Sequence, residues 1–230
     1  LQRAVDQIIE DVCLQNLHVI FAIDRAGLVG SDGETHQGCF DLSYLSMIPN
    51  MTVLAPKNKW ELSDMLKFAV RYQGPIAIRY PRGEAYDGLE EYREPMVYGK
   101  SELIFEGEET ALLSVGSMVE TAVEVREKLK ADKINATLVN ARFIKPLDTK
   151  ILDRLALKHK KIVTMEENVK NGGFGMAVSE YMQEYHPEVK VQIIALPDAF
   201  ITHGNPKLLK AKAGIDADSI YGAIKEAEKR

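Results

Sequence analysis

An apolar run meets a polar, glycine-rich loop in residues 18–38, HVIFAIDRAGLVGSDGETHQG. The first six residues are typical of a buried strand, because they form a short continuous apolar run bounded by turn-forming residues. Short apolar runs of this kind alternate along the chain with longer amphipathic segments. The alternation predicts an α/β protein in which right-handed crossovers join the strands into mainly parallel sheets with flanking helices.

Two α/β units are predicted, residues 1–92 and 93–230, because residues 81–98 are rich in Pro, Gly and acidic residues and hold no sustained period. In the first unit we predict strands at residues 18–23, 52–55 and 75–80 and a helix at residues 58–72. In the second we predict strands at residues 110–115, 136–141, 161–165 and 189–195, and helices at residues 117–131, 148–158, 173–185, 206–212 and 218–229. A capping box of Ser117 and Glu120 is expected to open the first of these helices.

The composition is that of an ordinary globular protein, with 46% hydrophobic and 27% charged residues among 230. It excludes a disordered, collagen-like or disulfide-stapled chain, and no apolar run approaches the roughly 20 residues that span a bilayer. A net charge of −5 favours neither nucleic acid nor a membrane as a partner. Two cysteines without metal or disulfide spacing fit a reducing compartment, so we expect a cytoplasmic protein.

The first residues carry an apolar stripe at helical spacing, made of Leu1, Ala4, Val5, Ile8, Ile9 and Val12. No Ser, Thr, Asp or Asn cap precedes this stripe. The pattern predicts that the chain begins inside a helix and that a preceding part of the protein is missing. A processed or frayed terminus is the alternative.

Polar clusters follow two predicted strands of the first unit. One is the loop of residues 24–38, with Arg25, Asp32 and His36, and the other is the run YPRG, with Arg82. Because ligands bind outside the carboxyl ends of parallel strands, we expect these four side chains to share one pocket. Two arginines suit a phosphate or carboxylate, and a histidine can move a proton near neutral pH. The alternative is an ordinary surface loop with surface ion pairs.

A second glycine cluster, residues 172–175 (GGFG), opens a predicted helix after Glu166 and Glu167. It is consistent with an anion at a helix amino terminus. It is also consistent with close packing of the helix on a strand, which is the favoured interpretation. His203 is a weaker candidate, and no metal ligands are predicted because no His or Cys pair has zinc spacing.

These motifs resemble the 1-deoxy-D-xylulose-5-phosphate synthase family. The stretches DRAGLVGSDGETHQGCFDLSYL and GPIAIRYPRG are similar to motifs specific to that family, and LQRAVDQIIEDV is similar to its helix after the pyrimidine-side cofactor strand. The stretches EENVKNGGFGMAVSEY and DAFITHGNPKLLKAKAGIDADSI resemble the transketolase carboxyl-terminal domain, which transketolases and the β subunits of 2-oxo acid dehydrogenases also contain. The resemblance covers essentially the whole chain.

The resemblance implies a homodimeric transferase that uses thiamine diphosphate and Mg²⁺. Its reaction condenses pyruvate with D-glyceraldehyde 3-phosphate to 1-deoxy-D-xylulose 5-phosphate and CO₂, on the route to isoprenoids, thiamine and pyridoxol. Arg25 and Arg82 are implied to hold the phosphate of the acceptor, and Asp32 and His36 its polar groups, with His36 also a candidate for catalysis. The last domain is implied to be structural and to support dimer contacts.

Some family features are missing from the sequence, including the Gly-Asp-Gly motif for metal and diphosphate and the glutamate that polarises the pyrimidine. We therefore expect an incomplete pyrimidine-binding domain followed by a transketolase carboxyl-terminal-like domain. We also expect no activity without the amino-terminal part of the same enzyme, and weak binding of cofactor and metal. Arg3 is the one candidate for facing the cofactor, and a surface role is its alternative. The rival functions are a split transketolase or dehydrogenase β-type subunit and a non-catalytic dimerisation module.

Overall fold

The computed structural model describes residues 1–30 and 33–228, which form two mixed sheets with helices packed around them. The strands are β1 (Ile20–Ile23), β2 (Thr52–Leu54), β3 (Ile76–Arg79), β4 (Glu102–Phe105), β5 (Glu109–Ser114), β6 (Thr137–Asn140), β7 (Phe143–Lys145), β8 (His159–Val169) and β9 (Lys190–Leu196). The helices are α1 (Val5–Gln7), α2 (Asp41–Ser46), α3 (Lys59–Arg71), α4 (Met118–Ala131), α5 (Thr149–Ala156), α6 (Phe174–Tyr185), α7 (Pro206–Ala213) and α8 (Ala217–Glu228). Within the described ranges, no helix is long and apolar enough to cross a membrane.

Both sheets are mainly parallel, as predicted. The first has the order β1-β3-β2-β7, with only β7 antiparallel to its neighbour. The second has the order β4-β6-β5-β8-β9, with only β4 antiparallel. The predicted fold class, two mainly parallel sheets with flanking helices, is confirmed.

The central strands of the first sheet are buried along their whole length. Every residue of β2 and β3 is buried, which is typical of parallel strands covered on both faces. By contrast, β1 lies at the edge of the sheet and is only partly buried. Helix α3 begins at Asn58, whose side chain accepts a hydrogen bond from the backbone N–H of Glu61 at 2.9 Å. Because β1 and β3 pair in parallel, their carboxyl ends lie side by side, and the polar clusters of residues 24–38 and 80–83 follow these ends.

Strands β4 and β7 and helix α2 were not predicted, and β7 joins the two predicted units. Strand β7 belongs by sequence to the second unit, yet it pairs with β2 in the first sheet. The buried apolar side chains agree with this connection, because each of the three core clusters combines residues from both units. In one cluster, for example, Val53 and Ala77 pack together with Leu113 and Val139.

The amino-terminal helix and the capping box differ from prediction. The first turns are a 3₁₀ turn (Gln2–Ala4), α1 and a π-helical segment (Ile8–Cys13), and of the apolar stripe only Ile8 is fully buried. The wider π-helical turn breaks the 3.6-residue spacing that the stripe implied. Ser117 precedes α4 without capping it, because its hydroxyl donates to Glu167 Oε2 at 3.3 Å instead.

Candidate functional site

The loop after β1 is closed on itself by backbone hydrogen bonds. Gly27 and Gly38 exchange two such bonds, both 2.8 Å long, and Ala26 N–H donates to the carbonyl of Tyr80 at 3.0 Å. Gly38 has no room for a side chain, because a Cβ there would lie 2.0 Å from the carbonyl oxygen of Arg25. Arg25 itself has a φ of 59°, in the left-handed region that non-glycine residues rarely adopt. Such strain is typical of functional sites.

Arg25 and His36 line one cavity at the carboxyl end of β1. It has a volume of about 470 Å³ and is also lined by Asp24, Asp41 and Tyr44. Both predicted side chains are exposed, with Arg25 3.8 Å from the carboxylate of Asp24 and Nδ1 of His36 2.8 Å from the hydroxyl of Thr35. The cavity therefore offers an exposed cation and an exposed imidazole to a solvent-borne ligand.

Arg82 lines a different cavity, so the structure does not bring all of the predicted side chains into one pocket. This second cavity has a volume of about 620 Å³ and lies between the two units, with Lys59, Ser117 and Lys210 in its lining. Arg82 follows β3 on an exposed loop that turns at Gly83, where φ is 110°. Ala26 and Leu28 of the first loop line this second cavity, so the two cavities are neighbours. Asp32 lies outside the described residues.

Arg79 and Asp41 form a buried ion pair beneath the loop, and sequence reasoning missed it. Nε of Arg79 lies 3.3 Å from Asp41 Oδ2, and Nη2 donates to the carbonyls of Gly38 at 2.5 Å and Glu167 at 2.8 Å. A cation in the otherwise apolar run IAIR was the available signal, because a buried arginine requires partners. The Asp41 carboxylate also accepts from the hydroxyl of Tyr44 at 3.0 Å.

Burial makes two nucleophilic groups next to the loop unreactive. Burial raises the pKa of the Cys39 thiol to about 12, which leaves it protonated at neutral pH. Burial also raises the pKa of the Tyr44 hydroxyl, and the neighbouring Asp41 carboxylate acts in the same direction. The exposed imidazole of His36 is therefore the more accessible proton carrier in this cavity.

The GGFG cluster binds a carboxyl group of the protein itself, that of Glu166. Its two carboxylate oxygens accept from the N–H groups of Phe174 at 2.9 Å and Gly175 at 2.8 Å, at the amino end of α6. A Cβ on Gly173 would lie 2.6 Å from that carboxylate, and one on Gly175 would lie 2.5 Å from the hydroxyl of Thr164. Close packing, the favoured interpretation of the cluster, explains these glycines.

The cofactor candidate Arg3 is exposed at the end of the first 3₁₀ turn, next to Leu1 and Gln2, which line the cavity of Arg25. Across residues 1–30 and 33–228, no group of three or more His, Cys, Asp or Glu side chains is placed to hold a metal ion. The described residues therefore do not fit a magnesium site.

Two protein-family models match successive parts of the chain. The model for the transketolase C-terminal domain matches residues 99–220, more than half of the chain, and the model for the transketolase pyrimidine-binding domain matches residues 1–87. The chain belongs to the transketolase C-terminal domain family. The linked pair of sheets, with the polar loops at the ends of β1 and β3, is thus a pyrimidine-binding domain followed by a transketolase C-terminal domain.

Transketolase-type relatives are similar over nearly the whole chain. The 1-deoxy-D-xylulose-5-phosphate synthase of Lachnoclostridium phytofermentans is 56% identical over 97% of this chain, and that of Desulforudis audaxviator is 48% identical over all of it. The chain spans only 36% of the length of either relative. A solved structure described as a split gene transketolase, inactive beta4 tetramer, superposes with a TM-score of 0.87 at 28% identity, covering 98% of this chain and 71% of that one. Transketolase from Campylobacter jejuni shares the fold at 19% identity, with a TM-score of 0.76.

Proposed function

We propose that this chain is the acceptor-binding part of a 1-deoxy-D-xylulose-5-phosphate synthase. In this role it works with the amino-terminal part of the same enzyme to condense pyruvate with D-glyceraldehyde 3-phosphate. The observation that carries the proposal is the cavity of Arg25 and His36, which lies at the carboxyl end of β1 in a chain 56% identical to a synthase of that name. An exposed guanidinium beside an imidazole suits a phosphorylated aldehyde.

In this proposal the site residues bind different groups of the acceptor. Arg25 and Arg82 bind the phosphate from the two neighbouring cavities, and Asp32 and His36 bind the hydroxyl and carbonyl oxygens of the acceptor. His36 donates or accepts the proton at the acceptor oxygen. Thiamine diphosphate supplies the nucleophilic carbon when bound, and the amino-terminal part holds its diphosphate and Mg²⁺. Arg3 faces the cofactor from the first turn of this chain.

The arrangement of the whole protein is also part of the proposal. Residues 1–92 form part of the pyrimidine-binding domain and residues 93–230 the last domain, with β7 of the second part pairing with β2 in the first sheet. We also propose a cytoplasmic homodimer; the similar split transketolase, described as a beta4 tetramer, is a precedent for association of such chains with one another. That protein is also described as inactive, in agreement with a lack of synthase activity for this chain alone.

The decisive experiment compares the chain alone with a joined enzyme. In the joined enzyme, this chain replaces the corresponding carboxyl-terminal part of the Lachnoclostridium phytofermentans synthase. With thiamine diphosphate and Mg²⁺, we expect the joined enzyme to make 1-deoxy-D-xylulose 5-phosphate from both substrates and the chain alone to make none. A folded joined enzyme without product, or turnover by the chain alone, would contradict the proposal.

Substitution of the two arginines in the joined enzyme tests their roles. Arg25→Ala and Arg82→Ala each remove a charge-assisted contact and should raise KM for D-glyceraldehyde 3-phosphate by about tenfold or more, with KM for pyruvate unchanged. Arg93→Ala is the matched control. Arg93 is an exposed arginine whose Nε lies 2.6 Å from Asp64 Oδ2, and it lines neither of the two cavities. An unchanged KM for the acceptor would contradict the assignment.

A split transketolase-type subunit is the second candidate function, favoured by the TM-score of 0.87 to such a protein. In that case a separate chain would provide the diphosphate site, and the acceptor would be a sugar phosphate. Offering the joined enzyme ribose 5-phosphate and D-glyceraldehyde 3-phosphate with a ketose donor separates the two functions. A non-catalytic dimerisation module would show no turnover in either assay.

A further inference from the structure

The loop after β1, residues 24–39, is called the acceptor loop below. The second unit contacts the backbone of this loop at three separate points. The N–H of Leu28 donates to Glu167 Oε1 at 2.7 Å. The N–H of Val169 donates to the carbonyl of Cys39 at 2.8 Å, and the N–H of Gly204 donates to the carbonyl of Gly30 at 3.0 Å. The conformation of the loop that carries Arg25 is therefore set by the second unit as well as by β1.

Gln37 extends these contacts from inside the loop. This side chain is buried, with its Oε1 accepting from the N–H of Val29 at 2.7 Å. Its Nε2 lies 3.4 Å from the carbonyl of Ile201 and 3.3 Å from that of Thr202. One amide thus ties the loop to itself and to the segment before α7, immediately beside His36.

Glu167 is the charged member of this set of contacts. Its side chain is 4% exposed, and Oε2 accepts from Lys210 Nζ at 3.0 Å and from the hydroxyl of Ser117 at 3.3 Å. Both oxygens are therefore occupied, one by the loop and one by the second unit. Gly27 leaves room for this carboxylate, since a Cβ at that position would lie 2.3 Å from Glu167 Cδ.

The contact to Leu28 lies three residues along the chain from Arg25. Only Ala26 and Gly27 separate the two, and both Arg25 and Gly27 have positive φ. A left-handed arginine persists only where neighbouring contacts determine the backbone. Glu167 holds the far end of this short segment, whereas the hydrogen bond from Ala26 to the carbonyl of Tyr80 holds its middle.

We infer that Glu167 is a positioning residue for the acceptor site: it acts through the backbone of Leu28 to hold Arg25 in its binding direction. The inference rests on the proposed function for its link to the acceptor. It assigns a role in substrate binding to the domain that the family resemblance treats as structural. Glu167 does not touch the substrate and is not a catalytic residue.

Amide hydrogen exchange on the 230-residue chain tests the positioning itself. We expect Glu167→Ala to speed exchange at the N–H of Leu28 by about tenfold or more, because the bond to the carboxylate is lost. Glu167→Gln should keep exchange at Leu28 slow, since its amide oxygen still accepts. Glu106→Ala, at an exposed carboxylate of the same unit, should leave Leu28 unchanged. Unchanged exchange at Leu28 in a folded Glu167→Ala variant would overturn the inference.

Kinetics of the joined enzyme test the consequence for the acceptor. Glu167→Ala should raise KM for D-glyceraldehyde 3-phosphate by about tenfold with kcat and KM for pyruvate nearly unchanged, and Glu167→Gln should recover most of the loss. A purely structural role would instead lower the active fraction, and so kcat, without changing KM. An unchanged acceptor KM overturns the link to binding. If the unsubstituted joined enzyme makes no product, the proposed function fails, and exchange at Leu28 still decides whether Glu167 positions the loop.

Discussion

Burial of the Glu166 carboxyl group opposes its ionisation, and hydrogen bonds at the amino end of α6 partly favour it. Burial raises its pKa to about 7, and the hydrogen bonds from Gly175 and Phe174 act in the opposite direction. Between the ordinary value of 4.5 and about 7, the folded protein keeps a proton that the unfolded chain has released. The contribution of this group to stability is therefore complete below pH 4.5 and is lost as the pH rises through 7.

Glu166→Gln should remove this pH dependence. The variant is expected to be less stable than the wild type at pH 5, because its NH₂ group faces a backbone donor. The difference in free energy of unfolding between the wild type and Glu166→Gln should then narrow by up to about 3 kcal/mol by pH 8, because the wild type loses the contribution of Glu166. Urea unfolding at pH 5, 6, 7 and 8 measures the gap. Glu106→Gln, at a carboxylate whose pKa is lowered by Lys158 and Arg154, should show no such change. A constant gap for Glu166→Gln would contradict the expectation.

The sequence indicated the exposed side chains around the cavities more readily than the buried side chains that hold the loop. Arg25 and His36 were predicted to share a pocket because polar side chains follow a strand, and both line one cavity. Arg82 lines the neighbouring cavity instead, and local sequence does not show which of two adjacent cavities a loop residue enters. Glu167 could not be identified, because its partners Leu28 and Lys210 lie far from it along the chain.

At the scale of elements, the predicted alternation of strands and helices is present, including the three-residue β2, whereas β4, β7 and α2 were missed. The predicted central strands and the helices α3, α4 and α6 are present. Strand β7 has three residues and helix α2 has six, too few to show a period of two or 3.6. Both exist because of tertiary contacts: β7 pairs with β2, and the N–H of Leu42 in α2 donates to Asn168 Oδ1 at 3.2 Å.

Two helical glycines should respond to alanine in opposite ways. In α6, a Cβ on Gly175 would lie 2.5 Å from the hydroxyl of Thr164 and 2.6 Å from Ile193, so Gly175→Ala should destabilise the chain by about 1–3 kcal/mol. In α8, nothing lies within 4 Å of a Cβ on Gly222, so Gly222→Ala should stabilise it by about 0.5–1 kcal/mol. Urea unfolding of both variants gives the two signs. A stabilising effect of Gly175→Ala would show that packing at the start of α6 is not the reason for Gly175.

At the scale of the whole molecule, a buried charge cluster joins the two units. Lys57 and Glu61 come from the first unit, and Glu102 and Arg142 from the second, with all four side chains 1–2% exposed. Arg142 Nε lies 2.7 Å from Glu61 Oε1 and its Nη2 2.6 Å from Glu102 Oε1, while Lys57 Nζ lies 2.6 Å from Glu102 Oε2. The cluster is formally neutral, and Asn140 donates to both carboxylates.

Arg142→Met should destabilise the whole chain by about 3–5 kcal/mol, because it leaves two buried carboxylates with only the ammonium of Lys57. The comparison is Arg154→Met, which removes an exposed pair with Glu106 and should have no measurable effect. The double variant Arg142→Met/Glu61→Gln should lose less than the sum of the single losses, since these two residues share a contact across the two units. Denaturant midpoints of the wild type, of Arg142→Met, of Glu61→Gln and of the double variant provide the test, and an additive double variant would show that the pair does not couple the units.

The contacts of the acceptor loop also fix an order of assembly during synthesis. The loop is complete once residue 39 has been made, but its anchor at Glu167 lies 139 residues beyond Leu28. The anchor at Gly204 comes later still, and the first sheet lacks its fourth strand until Lys145 has appeared. Since contacts between distant residues form only after the intervening chain is available, the ligand-binding end of the first sheet matures last. A ribosome must therefore deliver the chain through Gly204 before all three anchors of the loop that carries Arg25 are available.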